Sequence, residues 1–136
     1  MSRVSLHRSL EALPVMQGYA RELSLYLNDL SLSGRMGRNG GFERNTAAQT
    51  SGVLKIHIKV PGEPFWPASV RQINRTSDNY LVYVRHWEEP ETFQIIAVIT
   101  PDAHDRANSM LPALIKIAED DFHCLNQHQL LSLIYY

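Results

Sequence analysis

The chain has 136 residues, 44% hydrophobic and 20% charged, with a formal net charge of −1 at neutral pH. That is one domain of ordinary globular composition, with length for a single core but not two. No stretch reaches the roughly 20 apolar residues that cross a bilayer, MSRVSLHRSL lacks the apolar run of a signal peptide, and Cys124, the only cysteine, excludes an internal disulfide and suits a reducing cytoplasm. The charge is uneven. Residues 1–75 carry ten Lys and Arg against five acids, and residues 76–136 carry three against nine, so a surface for a polyanion should draw on the first half.

Residues 2–8 alternate polar and apolar side chains and predict a short edge strand. Pro14 suits a first helical turn, and Met16, Tyr19, Leu23, Tyr26 or Leu27, and Leu30 follow at three-and-four spacing, which predicts a helix over about 13–31. Four of the seven glycines fall between 34 and 41, with Arg35, Arg38 and Arg44 among or just after them. Neither a Walker loop nor a dinucleotide fingerprint is present, so 34–52 reads as a Gly/Arg-rich surface loop whose arginines can reach a long polyanion.

A run of strand signals follows. In VLKIHIKV (53–60), Leu54, Ile56, Ile58 and Val60 share one face and Lys55, His57 and Lys59 share the other. PGEPFWP (61–67) is a stiff connection. SVRQINRTSDNYLVYVRHW (69–87) reads as strand with Arg71 and Arg75 on one face, a tight turn at 76–79, and Tyr80, Val82 and Val84 alternating against Leu81, Tyr83 and Arg85. FQIIAVIT (93–100) is apolar on both faces, as a central strand should be. Beyond PDAH (101–104), a helix is expected from a Ser109 cap, with Pro112 tolerated only in its first turn. The tail 125–136 is apolar and either packs back on the domain or meets a partner. No metal-ligand spacing occurs, and no cofactor is called for.

The segments EPFWPASVRQINRTSDNYLVYV, IIAVITPDAHDRAN and KIAEDDF resemble the YafO-type toxins of bacterial type II toxin–antitoxin pairs. The similarity covers about residues 53–122, and the IHI of 56–58 and the GR of 37–38 fit as well. It implies kinship with the RelE/ParE group and its α+β fold, a small twisted antiparallel sheet of about four strands with helices packed on one face. It also implies a cytoplasmic, ribosome-dependent mRNA interferase, restrained by a cognate antitoxin, with ribosome and mRNA as its other partners. The residues suit metal-independent RNA cleavage, in which the 2′-OH attacks phosphorus between a base, an acid and cations. His57 or His104 serves as base or acid with Lys55 beside them, Arg71 and Arg75 clamp the phosphate, and Lys59, Arg85, Arg38, Arg35 and Tyr83 are candidates for holding RNA. Two alternatives stand: a toxin of the same fold with a protein target such as gyrase, and a non-catalytic antitoxin-binding module.

Overall fold

A computed structural model describes residues 1–136. Its centre is a five-stranded sheet of order β1-β5-β4-β3-β2, formed by β1 (Arg3–Leu6), β2 (Met36–Gly41), β3 (Val53–Ile58), β4 (Tyr80–Arg85) and β5 (Thr92–Ile99). β2, β3, β4 and β5 pair antiparallel, whereas β1 lies parallel to β5. The sheet is therefore mixed and has one strand more than expected. The connection from β1 explains both differences. A helix of 14 residues, α1 (Pro14–Leu27), carries the chain from one edge of the sheet to the other, so the first strand ends up beside the last.

The helices do not share one face. α1 lays Met16, Tyr19, Ala20 and Leu23 on Val4, Leu6, Ile56, Ile58, Leu81 and Tyr83. The opposite face is covered by α3 (Ala103–Ile117), which runs on into a π-helical turn over Ala118–His123. There Ala107, Leu111, Leu114, Ala118 and Phe122 pack on Val53, Val82, Val84 and Ile96. The cause lies in β4 and β5. Val82 and Val84 point one way and Leu81 and Tyr83 the other, and all four are buried. Burying a large apolar side chain is worth about 1.5–3 kcal/mol, so strands apolar on both sides are stable only when both sides are covered. The single core expected from length is in fact two apolar layers with the sheet between them.

Three local expectations also change. Residues 69–75 are not a strand: Gln72–Asn74 form a 3-10 turn, so Arg71 and Arg75 do not alternate on a sheet face. The Gly/Arg-rich segment is not an open loop, because it holds β2 and a short helix, α2 (Thr46–Thr50), whose first turn is capped by Asn45 accepting from the Ala48 N–H at 2.9 Å. The second long helix begins six residues earlier than Ser109, so Pro112 sits inside it. Pro112 has no N–H to give the Asn108 carbonyl, and both residues are exposed, which leaves that carbonyl to water. The tail packs back, with α4 (Gln127–Leu131) burying Leu130, Tyr135 bridging Ser5, and the Tyr136 N–H donating to the Val4 carbonyl at 3.0 Å.

Candidate active site

α3 packs against β5 and α2 covers the start of β3 at Val53, while the same face of β2 and of β3 from Lys55 onward is left open. The result is a groove of about 1150 Å³ between those strands and the first turns of α3. Its lining includes Arg38, Arg44, Lys55, His57, Tyr80 and His104, and Glu43 is its one carboxylate. Only Phe42 and Tyr80 are apolar. A chain with a net charge of −1 thus concentrates three cations and two imidazoles in one concavity, the arrangement that raises the local potential for an anion.

Lys55 lies across the sheet from Val82 in the β3–β4 register. Its Nζ sits over two rings, 4.6 Å from the Tyr80 centroid and 4.8 Å from that of Phe42. Burial lowers its pKa, with Glu43 opposing and Arg38 adding to the fall. His57 pairs with Tyr80 in the same register, and the two rings meet edge to face at 5.0 Å. Its Nδ1 is 2.8 Å from both the N–H and the carbonyl of Ser77, so the backbone of one residue can serve either tautomer. Nε2 is the nitrogen left for the groove. Burial is the main cause of a lowered His57 pKa; Lys55 and Arg38 lower it further, while the Ser77 carbonyl and Asp78 act the other way.

His104 enters from the opposite wall. It is exposed in the first turn of α3, with its backbone N–H donating to Asp78 Oδ1 at 2.9 Å and its Nδ1 3.5 Å from the Tyr80 hydroxyl. Tyr80 stays a phenol at neutral pH, since burial, Asp78 and Asp105 all raise its pKa.

The structure brings Lys55, His57, His104 and Arg38 together and separates the other expected residues from them. Arg75 is 4% exposed, and its guanidinium donates to the carbonyls of Val70, Ser33, Met36 and Pro67. Those donors hold the 67–75 connection against β2 and leave nothing facing the groove. Arg71 is exposed at the start of the 3-10 turn, outside the groove lining. Arg35 is paired with Glu22 on α1 and lies over the Tyr19 ring, under the other face of the sheet. Tyr83 is 1% exposed in that same layer and donates to Asn39 Oδ1 at 2.5 Å, which makes it a core residue. Lys59 stacks on Trp66 beyond the end of β3. Arg85, at the far end of β4, donates to the Pro90 carbonyl at 2.8 Å.

Sequence reading named Arg44 among the arginines able to reach a polyanion but did not single out Ser77, Asp78 or Tyr80. For Tyr80 a signal was there: in a hairpin whose strands pair 53–57 with 80–84, the residue facing His57 is Tyr80. Ser77 and Asp78 carried no signal, because their partners are 20 and 26 residues away in the chain.

The family model described as "Toxin YafO, type II toxin-antitoxin system" matches residues 24–124. No curated protein and no solved structure matches the chain. Taken with the five-stranded α+β fold, the match places the protein among the toxins of type II toxin–antitoxin systems. Within that class, the chain belongs to the YafO toxin family, and a cognate antitoxin is its implied partner. No helix is long and apolar enough to cross a membrane.

Proposed function

We propose that this toxin is a ribosome-dependent mRNA interferase that cuts RNA in the groove between β3 and α3. The observation that carries the reading is the meeting of His57, His104, Lys55 and Arg38 around one open concavity. Cleavage by the neighbouring 2′-OH requires a base on one side of the phosphorus, an acid on the other, and cations for the charge that develops between them. His57 is the base: its lowered pKa keeps the imidazole neutral at physiological pH, and Nε2 accepts the 2′-OH proton. The 2′-oxygen then attacks phosphorus in line. Lys55, Arg38 and Arg44 face the non-bridging oxygens, and Arg38 and Arg44 can each offer two N–H donors. His104, on the opposite wall, gives a proton to the departing 5′-oxygen. The products are a 2′,3′-cyclic phosphate and a 5′-hydroxyl. Two positioned proton-transfer groups at about 10²–10⁴-fold each, with an electrostatic clamp, are enough for a nuclease of this kind.

The test combines purified toxin, translating ribosomes and an mRNA, with 5′ ends mapped by primer extension. Ribosome-dependent cuts are expected for the wild type and at least a hundred-fold fewer for His57→Ala and His104→Ala, on the order of one lost acid–base group. An intact mRNA in the wild-type reaction sinks the reading.

A further inference from the structure

The two histidines come from elements far apart in the chain, β3 and α3, yet one short turn touches both. Ser77 holds His57 Nδ1 from 2.8 Å. Asp78 accepts both N–H groups at the start of α3, that of Ala103 on its backbone carbonyl at 3.0 Å and that of His104 on Oδ1 at 2.9 Å. This matters because Asp102, at the N-cap position, makes no side-chain cap of its own. Asn79 extends the tie to the end of β5, accepting from the Thr100 hydroxyl at 2.5 Å. Tyr80 completes the turn. Its ring is the floor under Lys55 and the edge partner of His57, and its hydroxyl is 3.5 Å from His104 Nδ1. That separation is long for a hydrogen bond, as catalytic contacts often are before substrate tightens them.

We infer that the turn 77–80 is the positioning element of the groove. In it Tyr80, through its hydroxyl, sets the ring orientation of His104, and Asp78 fixes the first turn of α3 that carries His104. Neither residue is needed to touch RNA. The inference rests on the function proposed above for what that orientation serves, while the contacts themselves can be tested apart from it. An imidazole free to rotate on the exposed start of a helix spends little time aimed at a leaving oxygen, so the orientation is a rate effect rather than a binding effect.

The experiment uses the intact protein and two readouts. Imidazole ¹⁵N–¹H spectra report the ring nitrogens of His57 and His104 with no reaction involved. Tyr80→Phe keeps the ring under Lys55 and removes only the hydroxyl, so the His104 nitrogens should shift while those of His57 stay near their wild-type positions. In ribosome-dependent cleavage, Tyr80→Phe should lower kcat about ten-fold with KM within about two-fold, and should cost nothing further in a His104→Ala background. Asp78→Ala should lower kcat as well. Asp78→Asn, whose amide oxygen accepts the same N–H, should recover most of that loss. Unchanged His104 nitrogens in Tyr80→Phe, or an equal cost of Tyr80→Phe with and without His104, overturns the inference. A wild type that leaves mRNA whole removes the proposed function instead, and the spectra still decide whether Tyr80 orients His104.

Discussion

Arg75 and His57 show how two residues of similar promise part at the scale of a single side chain. Arg75 lies inside the family match of residues 24–124, yet its guanidinium is buried against four carbonyls. Arg75→Ala leaves those acceptors without their donors, and it should lower unfolding free energy by about 2–4 kcal/mol, read as a lower urea midpoint. His57→Ala loses the contact with the Ser77 backbone; it should cost less, about 0.5–1.5 kcal/mol, and abolish cleavage. The pH dependence follows from the same environment. A base whose pKa is held below the ordinary histidine value of about 6.5 stays neutral as pH falls through that value, so the acid limb of kcat/KM should lie below it. Lys55→Met removes a cation that lowers the His57 pKa, and the midpoint of that limb should move up. His86 gives the corresponding statement for stability. Its Nδ1 accepts the N–H groups of Glu88 and Glu89, its Nε2–H donates to the Leu125 carbonyl, and burial lowers its pKa. The unfolded chain therefore takes up a proton at a pH where the folded one does not. Stability is full above about pH 6.5 and falls as the pH drops from there through the folded-state value. Thermal unfolding between pH 8 and 5 should show that fall, and His57 adds to it with the same sign.

At the scale of the element, β2 and the tail have the least obvious sequences and clear physical reasons. β2 needs a glycine at position 37 because the chain passes very close there: a Cβ on Gly37 would lie 2.4 Å from the Arg75 carbonyl oxygen and 2.8 Å from the Trp66 ring. Gly37→Ala has to push the 66–75 connection away from the sheet, and a loss of about 1–3 kcal/mol is expected, again from denaturant midpoints. The tail lies beyond the family match, which ends at residue 124. It covers the exposed edge of β1 through the Ser5–Tyr135 bridge and fills the α3 layer with Leu130. An uncovered strand edge invites pairing with another chain. Removing 125–136 should lower stability by about 2–5 kcal/mol, the cost of emptying a buried leucine site, and should raise the dimer fraction in size-exclusion chromatography while groove variants stay monomeric.

Across the whole molecule, a near-zero net charge hides a division that the fold exploits. Arg38, Arg44 and Lys55 gather in the groove, whereas Glu119, Asp120 and Asp121 cluster past the end of α3. On the proposed function, RNA meets this one face of the molecule. If those three cations neutralise phosphates, the affinity for a single-stranded oligonucleotide should fall with log salt at a slope of about −2, from roughly −0.7 per contact. Arg38→Ala with Arg44→Ala should bring the slope to about −0.7, measured by fluorescence anisotropy from 50 to 200 mM salt.

Much of this was legible in the residues. Local periodicity gives α1, the short first strand, the faces of β3 and β4 and the central, doubly apolar β5, because each pattern is set by which side chains must leave water. It also gives Lys55 and His57 on one face, since strand geometry alone puts them there. The two-layer cover, the parallel edge strand and the groove are of another kind. They depend on α1 crossing the sheet and on α3 leaving β2 and the Lys55–His57 stretch of β3 open, and neither is encoded within any one segment. His104 reaches the groove, and Arg75 is kept from it, through hydrogen bonds spanning 26 and up to 42 residues of chain. Sequence spacing has no access to contacts of that range; only the packed fold decides which cation faces an anion and which one holds a loop.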